Sequence, residues 1–372
     1  MRAVVLAGGE GTRLRPLTFT TPKPLLPVAN KAFLERQLSW LAAHGVDDVA
    51  LSLGYLPDAF VSRFPDGHYH DDAGREVGLT YVYEPVPLGT AGAIRFAAER
   101  LAVEERFVVC NGDVLTGLDL GALVAFHDGR GAEATIALAQ VDDPSGFGVV
   151  PTFPDGEVKA FVEKPPPGSA PTDWINAGTY VVEPSVRERI PTGLNVSIER
   201  ETFPRMLQKR RRLYGMTSDE YWIDIGTPDQ YLAANADVLA GRMGPQPTAD
   251  ARQLAPGVWV QGSRTGDGLL RSPVLLGDGC DVAAGATVSG SVIGSGVRVS
   301  AGARVTGSVV HEGAVIEDDA QVINSIVGLD ALVGAGAILR DRSIVGAGAT
   351  VAPRAVIEHG RIPAATVDRG SR

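Results

Sequence analysis

The sequence predicts an α/β chain in two parts: a doubly wound, mostly parallel sheet, then a left-handed parallel β-helix. Three observations carry this. Short apolar runs alternate with helical stripes from Met1 to about Asp237; aliphatic pairs recur at a fixed interval after Pro256; and 45 Gly and 25 Pro in 372 residues supply many tight corners.

In order, Arg2-Ala-Val-Val-Leu-Ala7 reads as a strand that runs into a Gly-rich loop. Leu34, Leu38 and Leu41 form one helical stripe, which Gly45 can end. Val49–Leu53 and Leu79–Tyr83 are strands; Ile94, Ala97, Ala98 and Leu101 give the next helix its buried face; Arg106–Cys110 is the following strand. Strands separated by helices make a parallel sheet, and such sheets bind ligands outside their carboxyl ends. The loops after Ala7, Tyr83 and Cys110 are therefore the candidate site. A helix from Pro228 to about Leu239 is expected to close the first domain, residues 1–240, and the aperiodic stretch 241–256, with Pro245 and Pro247, reads as a linker.

From 257 to 372 the repeat takes over. Leu275-Leu276, Val292-Ile293, Val309-Val310 and Ile326-Val327 recur every 17 residues, with Ile344-Val345 one residue late. Val282, Val299, Ile316, Val333 and Val351 keep step, as do Ala286, Ala303, Ala320, Ala337 and Ala355. Within each unit the branched or small residues stand about six apart, the hexapeptide pattern of three short strands and three corners per coil. Flexible Gly/Ala linkers lack such phased aliphatics.

A net charge of −10 argues against a broad nucleic-acid or anionic-membrane surface, so a polyanionic ligand has to meet a local basic cluster. No apolar stretch approaches the length needed to span a bilayer. Two cysteines, Cys110 and Cys280, and an N-terminus without a charged leader point to a reducing, cytoplasmic setting.

The basic cluster is found after the first strand. Gly8-Gly-Glu-Gly-Thr-Arg-Leu-Arg-Pro-Leu-Thr18 is followed by Pro22-Lys-Pro-Leu-Leu-Pro27. Three glycines in four residues let backbone N–H groups approach a phosphate chain, while Arg13, Arg15 and Lys23 supply charge. This suits a nucleoside triphosphate. It is neither a P-loop, since no Gly-Lys-Ser/Thr follows at the required spacing, nor a dinucleotide fingerprint, which needs a third glycine in phase.

Further motifs follow: Glu84-Pro-Val-Pro-Leu-Gly-Thr-Ala-Gly92, Asn111-Gly-Asp113, Phe147-Gly-Val-Val150, Phe161-Val-Glu-Lys-Pro165, Asn176-Ala-Gly178 and Tyr221-Trp-Ile-Asp-Ile-Gly-Thr-Pro228. With the loop from Gly8 to Pro27, they make the chain resemble the sugar-1-phosphate nucleotidyltransferases over nearly its whole length. The resemblance is greatest to mannose-1-phosphate guanylyltransferases that carry a C-terminal left-handed β-helix. It implies a Rossmann-like nucleotidyltransferase domain that transfers a nucleoside monophosphate from an NTP to a sugar 1-phosphate with Mg²⁺, releasing pyrophosphate.

In that reaction two anionic phosphates meet, so catalysis must come from charge neutralisation and in-line positioning. Asp113 follows a strand end, and alternation along Tyr221–Ile225 puts Asp224 with Trp222 on one face. By resemblance, both match the family's metal aspartates. Arg13 and Lys23 correspond to cations on the β and γ phosphates, and Lys164 to the lysine on the sugar phosphate. Leu6, Gly8, Gly9, Gly11, Thr12, Glu84, Gly89 and Thr90 are the expected nucleotide contacts. Asn111, Gly112, Gly148, Glu163, Asn176 and Gly178 are the expected contacts to the sugar side.

Glu84 bears on the base. A carboxylate accepts hydrogen bonds, and guanine offers two adjacent donors where thymine and uracil flank one N–H with carbonyl oxygens. GTP is thus the expected nucleotide, unless Glu84 pairs with a neighbouring protein group. Lys23-Pro24 stands where thymidylyl relatives tend to have Lys-Gln, which also points away from dTTP. Mannose is the family default sugar; glucose, a heptose or a cyclitol remain open. Two other classes compete: a β-helix acyltransferase, which needs a general-base histidine and could draw only on His311 or His359, and a non-catalytic regulatory subunit, which should have lost a metal carboxylate or phosphate cation that this chain retains. The expected assembly is a homo-oligomer, dimer or tetramer, held through the β-helix, whose coil ends need capping.

Overall fold

A computed structural model describes residues 1–365; the remainder of the predicted β-helix, 366–372, lies outside the described residues. The chain forms two compact units, and their membership is unlike the linear division 1–240, 241–256 and 257–372. One unit comprises Met1–Gly9 and Leu34–Asp224. The other comprises Glu10–Phe33 together with the described residues from Ile225 on.

The first unit is built on β1 (Arg2–Leu6), β2 (Asp48–Leu53), β3 (Glu76–Tyr83) and β4 (Phe107–Asn111). These strands run parallel in the order β4-β1-β2-β3. The helix Phe33–Ala43 buries Leu34, Leu38 and Leu41, and Gly89–Arg100 buries Ile94, Ala97 and Ala98, as the stripes require.

Beyond β4 the sheet becomes mixed, although helices such as Leu120–Arg130 still separate some of its strands. The added strands are β5 (Val114–Thr116), β6 (Ala134–Gln140), β7 (Gly148–Val149), β8 (Val162–Glu163), β9 (Trp174–Val182), β10 (Leu213–Ser218) and β11 (Trp222–Asp224). Strand β9 runs antiparallel to β4, β6 and β7; β10 lies parallel to β6, and β5 with β11 forms a separate antiparallel pair. The register of β9 on β6 shifts between Asn176 and Tyr180: four residues of β9 span two of β6. The Asn176-Ala-Gly178 motif is thus a bulge, a device that redirects side chains beside binding sites.

In the second unit the repeat stacks as predicted. Val282, Val299, Ile316, Val333 and Val351 pair successively across parallel strands, as do Leu275, Val292, Val309, Ile326 and Ile344. The Val282 series forms a continuous buried core with Ala286, Ala303, Ala320 and Ala337 and with Leu276, Ile293, Val310, Val327 and Val345, the second residue of each aliphatic pair; the first residues, Leu275 to Ile344, are buried outside that core. The stack starts at Val258–Gln261, and Ala251–Ala255, within the predicted linker, is a strand antiparallel to it.

The helix Pro228–Leu239, expected to close the first domain, packs on the coil strands Leu269–Leu276 and Thr287–Ile293. Among the described residues no helix is long and apolar enough to cross a membrane.

Candidate active site

The carboxyl ends of β4, β1, β2 and β3 bring several predicted residues together. Gly112 donates its N–H to the Leu6 carbonyl at 2.9 Å, so the turn Asn111-Gly-Asp113 folds over the end of β1. A side chain at 112 would meet that carbonyl at 2.6 Å. Gln37, from the first helix, donates to the Asn111 carbonyl at 2.9 Å and fixes the turn from the other side. Gly8 lies against Gly54 and the Glu84 carboxylate, whereas a side chain at Gly9 would meet nothing within 4 Å among the described residues. Protein packing does not account for the glycine at 9; a ligand approaching the backbone would.

Glu84 follows β3 with both carboxylate oxygens engaged: Oε1 accepts from Ser52 Oγ at 2.9 Å and Oε2 from the Leu88 N–H at 3.0 Å. The protein pairing considered from sequence therefore exists. An ionised carboxylate has about four acceptor directions, so a base with two N–H donors could still bind it. Gly89 allows close approach to the Val196 carbonyl, which an added Cβ would meet at 2.7 Å. Thr90 is committed to the protein: its hydroxyl donates to Glu199 at 2.8 Å and accepts from the Ile198 N–H at 2.8 Å.

The second group centres on the bulge. Gly178 has φ +72°, and a Cβ there would press within 2.7 Å of the Asn111 amide, so only glycine fits easily. Asn176 Oδ1 accepts from the Gly178 N–H at 3.0 Å, and its Nδ2 donates to Tyr180 Oη at 2.8 Å. The β5–β11 ladder pairs Asp224 with Val114, the neighbour of Asp113, so both half-buried carboxylate residues stand at the same end of that ladder. Their hard oxygen donors suit Mg²⁺, which takes one or two carboxylates and fills its shell with phosphate and water oxygens.

Gly148 pairs with Glu163, and the room a side chain would need at 148 is filled by the Phe161 ring and the Glu163 carboxylate. Glu163 also faces Arg200 at 3.6 Å. Lys164 is exposed, at φ +47°, with its N–H on the Phe147 carbonyl at 2.9 Å. A lysine held in the left-handed region is a strained position of the kind that collects at binding sites.

In the second unit, Gly11 has φ +60° and packs against Thr18 and Lys23. Thr12 and Arg13 are exposed on the short turn Thr12–Leu14, and Lys23 is 8% exposed. Arg15 departs from expectation: its guanidinium pairs with Glu10 at 2.6 Å and lies 5.1 Å from the Phe19 ring centroid, so its charge is largely met by the protein.

His311 is buried against Tyr231, 2.9 Å from its hydroxyl, and burial pushes its pKa down to about 4. A buried imidazole of such low basicity is a poor general base, which counts against the acyltransferase alternative. His359 sits with Asp341 and Glu358 as the one three-residue group of ligand type among the described residues, but Arg340 already pairs with both acids. Both cysteines are free and buried, their thiols pushed up to about 12 for Cys110 and about 11 for Cys280.

Sequence reasoning missed Gln37, Glu199 and the structural role of Trp222. Gln37 and Glu199 lie outside the motifs, and only the fold brings them to the turn and to Thr90.

Comparison with known proteins identifies the family. The family described as Nucleotidyl transferase matches residues 2–241, and the GMPPB C-terminal domain matches 270–369. A mannose-1-phosphate guanylyltransferase of Mycobacterium tuberculosis is 40% identical over 303 residues, covering 77% of this chain and 82% of that protein. A mannose-1-phosphate guanyltransferase of Schizosaccharomyces pombe is 40% identical over 246 residues, 64% of this chain and 65% of that protein. Among solved structures, HddC from Yersinia pseudotuberculosis complexed with GMP-PN superposes with a TM-score of 0.53 at 30% identity, over 63% of this chain and 97% of that one.

Proposed function

The chain belongs to the nucleotidyl transferase family, in the branch of the mannose-1-phosphate guanylyltransferases, and on that premise we propose that it transfers GMP from GTP to mannose 1-phosphate, giving GDP-mannose and pyrophosphate. The observation that supports the reading is the adjacency at the end of β4: Gly178 of the bulge lies against Asn111, and Asp224 pairs with Val114, the residue after Asp113.

Asp113 and Asp224 would hold Mg²⁺, which when bound neutralises phosphate charge. Arg13 and Lys23 hold the β and γ phosphates and stabilise the departing pyrophosphate. The backbone of Gly8, Gly9 and Gly11 with Thr12 cradles the phosphates, and Leu6, Glu84 and Gly89 border the guanosine. Thr90 acts here by shaping the loop after Leu88. Lys164 neutralises the sugar phosphate so that it can approach the α-phosphate in line, and Glu163, Asn176, Gly148 and Gly178 frame the sugar. The names of the relatives favour mannose over glucose, a heptose or a cyclitol, and the GMP-PN bound to the Yersinia protein fits a guanine nucleotide. The enzyme works in the cytoplasm as a homo-oligomer joined through its β-helix.

The test is pyrophosphate release across five NTPs and a set of sugar 1-phosphates with Mg²⁺. GTP with mannose 1-phosphate should give the highest kcat/KM. A clear preference for another pair would reassign base or sugar, and no release with any pair would leave the regulatory reading.

A further inference from the structure

The segment Glu10–Phe33, which carries Arg13 and Lys23, is folded with the β-helix. Its C-terminal half is tied at several points. Asn30 donates to the Gln261 side chain at 3.0 Å and to the Ile293 carbonyl at 2.9 Å. The Ala29 N–H donates to Asn235 at 2.7 Å, and the Pro27 carbonyl accepts from the Tyr231 hydroxyl, which also meets His311.

The N-terminal half has a different anchor. Arg361 lies on the coil strand Arg361–Ile362, stacked on Ile344–Val345. Its Nη1 donates to the carbonyl of Arg13 at 3.1 Å and to that of Arg15. These carbonyls stand at the end of the turn Thr12–Leu14, where backbone acceptors are left without a helical partner and carry partial negative charge. A guanidinium bridging both holds the Arg13–Leu14 and Arg15–Pro16 peptide planes, which bracket the stretch from Leu14 to Arg15; Leu14 is itself fully buried and hydrogen-bonded back to Gly11 at 2.9 Å. With the backbone pinned from the coil side, the direction in which the exposed Arg13 side chain leaves the turn is set.

We propose that Arg361 is a positioning residue for nucleotide binding: a β-helix side chain that holds the phosphate loop through its backbone and thereby aims Arg13. This rests on the reading of Arg13 as a triphosphate ligand. It also gives the coil a part in turnover that composition and repeat pattern did not suggest.

The test uses full-length Arg361→Ala and Arg361→Lys. Hydrogen exchange of the unliganded proteins reads the loop directly. Arg361→Ala should speed exchange in peptides covering residues 10–20 and leave the core coil strands unchanged, with the melting temperature close to that of the parent. In steady-state assays kcat/KM for GTP should fall about tenfold, the loss of a charge-assisted hydrogen-bonded contact, while KM for the sugar 1-phosphate stays within about twofold. Arg361→Lys, which keeps a cationic donor, should recover part of both effects. Unchanged loop exchange in Arg361→Ala would overturn the proposal, and so would a loss shared equally by the two substrates with a lowered melting temperature. If the parent protein releases no pyrophosphate from any NTP, the function assigned above fails, and the exchange measurement still decides the role of Arg361.

Discussion

Trp222 donates its indole N–H to the carbonyl of Ala177 at 2.9 Å, and its ring meets Phe147 edge-on with centroids 5.6 Å apart. Three motifs far apart in the chain are fastened by this one side chain: the strand bearing Asp224, the bulge bearing Asn176 and Gly178, and the turn before Gly148. Trp222→Phe keeps a ring against Phe147 but leaves the Ala177 carbonyl unpaired, at a cost of about 1–3 kcal/mol. KM for the sugar 1-phosphate should rise about five- to tenfold, with KM for GTP nearly constant. Equal effects on both substrates would show that Trp222 serves stability alone.

Asp113→Asn and Asp224→Asn preserve side-chain shape and each remove the carboxylate proposed above to hold Mg²⁺. Both proteins should fold, with turnover reduced at least about a hundredfold and a higher Mg²⁺ concentration needed for half-maximal rate. Near-normal turnover in either variant would remove that aspartate from the metal site.

At Lys164 the backbone and the charge can be separated. Lys164→Ala should raise KM for the sugar phosphate more than KM for GTP. Lys164→Gly should do the same while gaining stability, because glycine takes φ +47° without the roughly 1 kcal/mol strain of a side chain. If Lys164→Gly restores normal sugar-phosphate KM, the residue matters only for its backbone; if KM for GTP rises instead, Lys164 belongs to the triphosphate.

The coil was legible because its core repeats: each aliphatic at a fixed interval stacks on the next. A second series at the same interval, Ser291, Ser308 and Ser325 with Ser343 one residue late, went unread because it is polar. These serines are buried, and Ser291 Oγ and Ser308 Oγ each accept a backbone N–H from the next coil at 3.1 Å. In the first unit the parallel core followed from apolar runs and stripes, but the antiparallel β9 did not, since strand direction is decided by tertiary pairing and leaves no local pattern. The site motifs were visible as strings; Gly178 as a bulge and Glu84 as a loop clasp appeared only once their partners, Asn111 and Leu88, were in place.

Burial of His311 has a consequence for acid stability. Its folded pKa, about 4, lies below the ordinary 6.5, so between these values the unfolded chain binds a proton that the folded one refuses. Stability is therefore full above about pH 6.5 and is lost as pH falls towards 4, by an amount on the order of 3 kcal/mol from this group. His311→Phe should flatten the acid limb of a stability–pH curve over that window. An unaltered slope would assign the limb to other groups.

Asn30 tests whether the β-helix serves only assembly. Ala29 and Asn30 have φ +45° and +60° between the paired strands Pro27–Val28 and Lys31–Ala32, a two-residue hairpin turn with both central residues left-handed. Glycine suits such a turn, so Asn30→Gly removes the bonds to Gln261 and Ile293 without straining the backbone. The protein should lose about 1–2 kcal/mol of stability, the net value of two partly buried hydrogen bonds. Because this hairpin follows the turn Lys23–Leu25 directly, kcat/KM for GTP should fall as well, while light scattering reports an unchanged oligomer. A changed assembly state with normal GTP kinetics would return the coil to a purely architectural role; reduced GTP kinetics at constant assembly state would show that it also supports the loop that carries Arg13 and Lys23.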